Sequence, residues 1–169
     1  MTDETRDLDK FFPYRLAVAA EAFSRSLAEV YGQEHGLSRE EWRMLFLLAG
    51  EDEVTSTELA RRTTLDKVQV SRAAQRLADK GLIVRDIPAN DKRLRVFRCT
   101  DKGRGLFQKL LPMVDARAIG ILDRLATEDR AALIQGLGAL LDVFAAVEPV
   151  ADKVQENHPT DNLATQPAV

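Results

Sequence analysis

Hydrophobic and polar residues alternate with a helical period in the middle of the chain. After Asp66 the apolar positions fall at i, i+3, i+4 and i+7, the stripe of a helix that buries one face. These positions are Val70, Ala73, Ala74 and Leu77. Gly81 supplies a C-terminal stop. The pattern therefore predicts a helix over about residues 65–80 with one buried face.

A shorter helix precedes this one. Thr55 is a suitable N-cap, and Glu58 three residues later completes a capping-box signature. Thr63 and Thr64 then interrupt the helix, and either side chain could cap the next one. Two helices joined by such a tight turn predict a helix-turn-helix.

Two β-rich runs follow the second helix. Residues 82–87 read LIVRDI and residues 94–99 read LRVFRC, with turn-forming residues at 88–91 between them. Turn chemistry between two such runs predicts a β-hairpin. Because the hairpin comes directly after a helix-turn-helix, we expect a winged arrangement with the wing at about residues 82–99.

The outer face of the predicted second helix carries amide, hydroxyl and cationic groups with almost no acid. Its candidate DNA-binding residues are Lys67, Val68, Gln69, Ser71, Arg72 and Arg76. Such groups read base edges and bind phosphates, although a merely solvated helix face is the alternative. Lys92 and Arg93 at the wing tip are further candidates, because a projecting arginine can enter the minor groove, where negative potential is concentrated.

Long helices flank this region. Residues 8–36 and 101–147 carry apolar stripes at three- and four-residue spacing. Between the first of them and the helix-turn-helix, Ser38 and Glu41 predict the capped start of a nearly apolar, buried helix. The acid pair Glu40–Glu41 is interpreted as solvated. The flanking helices carry more apolar surface than one small winged domain can cover, which indicates either a thick monomeric core or a dimer.

Charge distribution changes the interpretation of a net charge of −3 over 169 residues. Residues 55–104 hold 13 Lys/Arg against 6 Asp/Glu, so a basic module lies within an acidic frame, as expected for nucleic-acid binding by one face. No apolar run approaches the roughly 18 residues of a membrane span. From the polar, acidic start we expect no signal peptide, and one cysteine fits a reducing cytoplasm. Residues 1–7 and 150–169 are predicted to be disordered.

In order and composition these pieces resemble the multiple antibiotic resistance regulator (MarR) family. The matching segments are LSREEWRML (37–45), STELARRTTLDKVQVSRAAQRLADKGLI (56–83) and NDKRLRVFRCTDKG (90–103). Asp91-Lys92-Arg93 corresponds to the family's wing signature of an acid followed by two basic residues, with the middle lysine a mild departure. The resemblance covers roughly residues 8–147.

The resemblance implies a mainly α fold with a small β-hairpin wing. Within a single domain at 8–149, residues 37–100 would form the winged helix-turn-helix, and residues 8–36 and 101–147 the dimerisation helices that interlock in a homodimer. It also implies a pseudo-palindromic double-stranded DNA operator, a repressor released by a small aromatic effector (a phenolic acid type or its thioester), and no cofactor or membrane.

Relatives of this type bind effectors in a cleft between the dimer helices and the winged lobe. The residues with suitable chemistry are Arg15, Arg25, His35, Trp42 and Arg43. A guanidinium pairs bidentately with a carboxylate, and tryptophan offers a stacking face. Each has an alternative role. Trp42 could simply pack in the core, and His35 could cap the end of a helix. Arg15 and Arg25 could form ion pairs between subunits. Arg43 lies on an otherwise apolar helix and needs an anionic partner, either a bound carboxylate or an acid such as Glu40.

Other function classes have less support. The sequence contains no G-x-S-x-G, no phosphate-binding glycine loop and no H-E-x-x-H motif, so we expect neither an enzyme nor a metal site. A redox-sensing regulator is one alternative, because Arg98 could lower the pKa of the Cys99 thiol, although Cys99 is also interpretable as a small packed residue. A DNA-binding protein that acts without any ligand is another.

Overall fold

The computed structural model describes residues 8–86 and 95–147. Two compact units make up the chain, one ending at Leu122 and the other beginning at Asp123. The helices are α1 (Phe12–Gly32), α2 (Arg39–Ala49), α3 (Ser56–Thr63), α4 (Lys67–Asp79), α5 (Asp101–Leu122) and α6 (Thr127–Val147), preceded by a 3-10 turn at Leu8–Lys10. The strands are β1 (Val54–Thr55), β2 (Ile83–Asp86) and β3 (Val96–Cys99). No helix of the described ranges is long and apolar enough to cross a membrane.

A three-stranded antiparallel sheet has the order β1-β3-β2. Phe97 on β3 pairs with Val54 on one side and with Arg85 on the other. Strands β2 and β3 are those of the predicted hairpin, whereas the two-residue β1 was not predicted. A mainly helical chain with this small sheet confirms the predicted fold class. The wing tip, which includes Lys92 and Arg93, and both predicted disordered ends lie outside the described residues.

Helix α2 lies at the centre of the core. Its Met44, Leu45 and Leu48 have no exposed surface. The predicted stripe of α4 packs against it, and each member is at most 2% exposed: Val70, Ala73, Ala74 and Leu77. The stripe is therefore confirmed. The expected burial of α2 on nearly all sides is wrong, because Phe46 is 51% exposed and Arg43 is exposed as well.

Side-chain caps fix where two of these helices begin. Ser38 and Glu41 form both halves of the predicted capping box at the start of α2. At α3, Thr55 accepts a hydrogen bond from the backbone N–H of Glu58, 3.1 Å away. The Glu58 carboxylate does not return to Thr55 but binds Arg61. The second predicted capping box is therefore only half formed.

The cap of α4 differs from the prediction. Asp66, and neither threonine before it, caps the helix: its carboxylate accepts from the backbone N–H of Gln69, and the Gln69 side-chain oxygen accepts from the N–H of Asp66. Thr63 is buried and its hydroxyl donates to the Leu59 carbonyl. Thr64 has a left-handed φ of 57° and its hydroxyl donates to the carbonyl of Thr63. Both hydroxyls are thus occupied within the turn.

The first turn of α5 lies directly against the wing. Thr100 is its N-cap, and its hydroxyl oxygen accepts a hydrogen bond from the Gly103 N–H at 3.0 Å. A Cβ on Gly103 would lie 2.1 Å from the Leu82 carbonyl oxygen and 2.8 Å from the Cys99 sulfur. Only glycine permits this approach, since the nearest obstacle is backbone.

Candidate nucleic-acid interface and effector cavity

The outer face of α4 presents the predicted DNA-binding side chains to solvent. Its exposed residues are Lys67, Val68, Gln69, Ser71, Arg72, Gln75 and Arg76. Within the described ranges neither Lys67 nor Arg72 has a side-chain hydrogen bond or ion pair. Lys67 is the first residue of the helix, and recognition helices contact base edges with their N-terminal residues. The arrangement is therefore able to donate to bases and phosphates at once.

Two polar residues of this face already have intramolecular partners. The Gln69 side-chain oxygen belongs to the α4 cap, 3.0 Å from the Asp66 nitrogen, which leaves its amide nitrogen as the group free to donate outward. The Gln75 amide nitrogen donates to Asp79 at 2.7 Å. Gln69 can therefore recognise an acceptor on a base edge, but it cannot form the bidentate contact that amides make with adenine unless the cap opens.

Arg76 is directed towards a buried carboxylate. Glu41 is 1% exposed, in contrast to the solvated position predicted from sequence. Its Oε1 lies 2.8 Å from the Lys80 Nζ and 3.4 Å from the Arg76 Nε. Its Oε2 accepts from the Ser38 N–H at 2.6 Å. The start of α2 is thereby tied to the last turn of α4, and Arg76 holds α4 in place as well as facing solvent.

A crevice of about 340 Å³ lies between α4 and the sheet. It is lined by Ser56, Thr57, Lys67, Val70, Ser71, Ala74, Arg85, Arg95 and Phe97. Arg85 and Arg95 were not among the predicted site residues. Only the strand register could have identified them. Arg85 is paired with Phe97, and Arg95 is two positions from Phe97, so all three lie on one face of the sheet. Arg98 is on the other face, ion-paired with Asp86.

A second, more open cavity of about 380 Å³ adjoins α2 and the end of α3. It is lined by Trp42, Arg43, Phe46, Leu47, Arg62, Thr63 and Thr64. Trp42 stacks on Tyr31 with ring centroids 5.1 Å apart. Arg43 is exposed and its Nη1 lies 3.5 Å from the Thr64 hydroxyl, so the expectation that it is a buried cation in need of an acid is wrong. Arg62, which was not predicted, pairs with Glu51 at 2.9 Å.

The remaining predicted effector residues do not join this cavity. Arg15 is exposed on α1. Arg25 lies 3.4 Å from Glu21, whose pKa falls to about 2 because Arg39 donates hydrogen bonds to it and adds a nearby positive charge. His35 is half-buried, and its Nε2 has no hydrogen-bond partner within the described residues. The structure thus brings together Trp42 and Arg43 but none of the other three.

Cys99 is packed, and Arg98 does not activate it. The thiol is 9% exposed and its sulfur lies 3.8 Å from the Leu82 carbonyl oxygen. Burial raises the pKa of the Cys99 thiol, with Arg104 acting in the opposite direction. The suggested lowering of its pKa by Arg98 is wrong, because successive strand residues point to opposite faces and Arg98 pairs with Asp86.

Comparison with known proteins now identifies the family. The sequence profile of the MarR family matches residues 35–94. A MarR family transcriptional regulator from Silicibacter pomeroyi DSS-3 is similar at 31% identity and a TM-score of 0.70, over 81% of this chain and 97% of that chain. The homoprotocatechuate degradative operon repressor of Escherichia coli is 25% identical over 130 residues, 77% of this chain and 83% of that protein.

A third similarity is to BpsR of Bordetella bronchiseptica, whose DNA binding is regulated by 6-hydroxynicotinic acid. Its TM-score is 0.69 at 17% identity, over 79% of this chain and 94% of that chain, which shows a shared fold. The winged architecture, the cationic face of α4 and the 31% identity to the Silicibacter protein agree. The chain belongs to the MarR family of DNA-binding transcriptional regulators.

Proposed function

We propose that this regulator is a repressor that binds a pseudo-palindromic operator as a homodimer and is released by a small aromatic acid. The observation that supports DNA binding most directly is the exposed cationic face of α4, where the unpaired Lys67 and Arg72 stand beside Ser71 and the amide nitrogen of Gln69. In that position each good bidentate contact contributes about 1–3 kcal/mol of base discrimination.

Dimerisation is supported by apolar surface at the chain's ends. On α6, six apolar side chains are 50–60% exposed: Leu133, Ile134, Leu137, Leu141, Val143 and Phe144. On α1, Phe12 and Val18 are 67% and 49% exposed. Exposed apolar surface on a helix, as α1 and α6 each carry it, is typical of protein–protein interfaces. A two-fold dimer would present two α4 helices to half-sites about one helical turn apart.

The effector is proposed to occupy the cavity lined by Trp42 and Arg43. It combines an aromatic wall, which Trp42 forms with Phe46, and two guanidinium groups, since Arg62 lines the cavity as well. A planar ring can stack on the aromatic wall, and a carboxylate can pair with the guanidinium groups. The names of two similar proteins, a homoprotocatechuate operon repressor and a regulator controlled by 6-hydroxynicotinic acid, favour the same chemical class.

Operator binding is tested by footprinting on promoter DNA upstream of the gene, with sedimentation to measure the assembly. We expect a protected inverted repeat and a dimer. Arg72→Ala should change which bases are preferred, whereas Arg25→Ala on α1 should not. A monomer that protects no inverted repeat would contradict the proposal.

The effector site is tested by calorimetry with homoprotocatechuate and 6-hydroxynicotinic acid as probes. Arg43→Ala should weaken binding of an active probe by about tenfold, the loss of one charge-assisted hydrogen bond, while operator affinity without the probe stays the same. Arg25→Ala is the control, because that side chain lies outside the cavity. Equal probe affinity in both variants would remove Arg43 from the site.

A further inference from the structure

We infer that the crevice between α4 and the wing sheet holds one backbone phosphate of the bound DNA, and that the guanidinium groups of Arg85 and Arg95 bind this phosphate. This rests on the proposed operator binding. It adds a contact that is neither on the outer face of α4 nor at the wing tip. The two arginines and Lys67 line the same crevice, so one positive charge from helix α4 and two from one face of the sheet meet there.

The crevice has the composition of an oxyanion site. Its nine lining residues include three cations, the hydroxyl groups of Ser56, Thr57 and Ser71, and no acid. The side chains of Lys67, Arg85 and Arg95 make no hydrogen bond or ion pair with any described residue. Like charges that converge on one cavity repel one another. An anion between them removes that cost and gains charge-assisted hydrogen bonds.

Three other arginines of this lobe have an acid as partner. Arg39 pairs with Glu21, Arg62 with Glu51 and Arg98 with Asp86. Arg98 is the most informative of these, because it lies on the same strand as Phe97 but on the opposite face of the sheet. The crevice arginines therefore lack partners because no acid is among the residues that line the crevice, and not because wing arginines in general stay unpaired.

A phosphate is the oxyanion that the position favours. Lys67 and Ser71 line the crevice and also belong to the exposed face of α4, so a group held there adjoins the helix that reads bases. Phosphate contacts fix register and orientation without carrying sequence information. A phosphate held between α4 and the sheet would fix how deeply the recognition helix enters the groove. Ser56 helps to fix the backbone of Arg95 at the crevice, because the Ser56 N–H donates to the Arg95 carbonyl at 2.9 Å.

The test compares Arg85→Gln, Arg95→Gln and the double variant with Arg98→Gln as the matched control. Affinity for the operator and for a scrambled duplex is measured over a range of salt concentrations. Each crevice variant should lose about tenfold in affinity on both duplexes. The slope of log K against log salt should shrink by about 1.8, because each subunit of the proposed dimer would lose its contact with one phosphate, worth about 0.9. The double variant should lose little more slope, because both arginines hold one phosphate. Arg85→Lys should keep the slope.

Three results would overturn the inference. Crevice variants that match Arg98→Gln in affinity and slope, while the wild type binds its operator, remove the crevice from the interface and leave the proposed function intact. A loss confined to the operator would mean that the arginines read bases. A wild-type protein that binds no duplex overturns the proposed function, and the inference with it. Thermal melting checks folding, and no change is expected, since both side chains are exposed.

Discussion

Helices α4 and α6 both carry apolar side chains at helical spacing, but among the described residues those of α4 are buried and many of those of α6 are exposed. Four side chains of α4, from Val70 to Leu77, are at most 2% exposed. On α6, Leu137, Leu141 and Phe144 stay 50–60% exposed although the helix is 21 residues long. Burial of an apolar side chain stabilises by about 1.5–3 kcal/mol. Burial of apolar side chains therefore stabilises α4 within the single chain, whereas the exposed side chains of α6 do not contribute this stabilisation.

The difference in burial between α4 and α6 indicates that the two helices have different packing partners. The winged lobe closes its own core around α2, so α4 is positioned by Met44, Leu45 and Leu48. It can present polar groups to DNA, because its apolar face is already covered. Apolar side chains on α6 remain available for another surface, and a second copy of the chain is the partner that the proposed function supplies.

The largest effect is expected from a charge placed on the apolar face of α6. Leu137→Asp should prevent dimerisation, because a carboxylate would be buried without a partner. With one half-site engaged at a time, operator affinity should fall by about 10²–10⁴-fold. Sedimentation and gel shifts measure the two effects.

Gln135→Asp is the control for this change, since it adds the same charge to an exposed polar position of the same helix. A dimer that survives Leu137→Asp would mean that α6 contributes nothing to assembly. A protein that unfolds altogether would mean that the apolar face of α6 serves its own chain.

Sequence periodicity was sufficient for the parts of the fold that follow local rules. The α4 stripe, the Ser38 capping box and the Thr100 cap were all predictable, because each depends on residues within one or two turns. The Asp66 cap was missed, since two threonines offered the same chemistry closer to the preceding helix. Arg85 and Arg95 were missed because their convergence on Lys67 depends on strand register and on how the sheet meets α4.

Glu41 shows the same limit. Its capping role follows from spacing, but its burial depends on Lys80 and Arg76, which are 39 and 35 positions away in sequence and bring their charges to it only in the folded lobe. Among the effector candidates, Trp42 and Arg43 are adjacent in sequence and share a cavity. Arg15, Arg25 and His35 were selected by chemistry alone, and side-chain type does not specify position.

The next largest effect is expected at that buried carboxylate. Glu41→Gln should lower the free energy of unfolding by about 3 kcal/mol, the low end for breaking a buried ion pair, because Arg76 and Lys80 are 45% and 34% exposed and keep some solvation. Urea unfolding measures the change. Glu21→Gln breaks a comparable contact with Arg39 at the surface and should cost much less. Equal losses would show that burial of Glu41 adds nothing to the pair.

The smallest effects distinguish packed from open backbone within α5 itself. Gly103→Ala should destabilise by about 2 kcal/mol, as overpacking typically does, because the new Cβ would lie 2.1 Å from the Leu82 carbonyl oxygen. That oxygen cannot easily move, since it accepts the Thr100 N–H at 3.0 Å and anchors the start of the helix.

Gly105→Ala, two positions further on, should have the opposite sign. Apart from the adjoining residues and the backbone of α5 itself, no described atom lies within 4 Å of a Cβ at Gly105. Alanine should therefore stabilise the helix by about 0.5–1 kcal/mol, because it loses less backbone entropy on folding than glycine. Urea unfolding of both variants measures the pair of changes. Gly136 and Gly138 on α6 are equally open within the chain, so an alanine there should also stabilise a lone helix. If Gly138→Ala instead weakens the dimer, a second copy of the chain packs against that position. The apolar face of α4 would then be covered by its own chain, and the apolar face of α6 by the partner subunit.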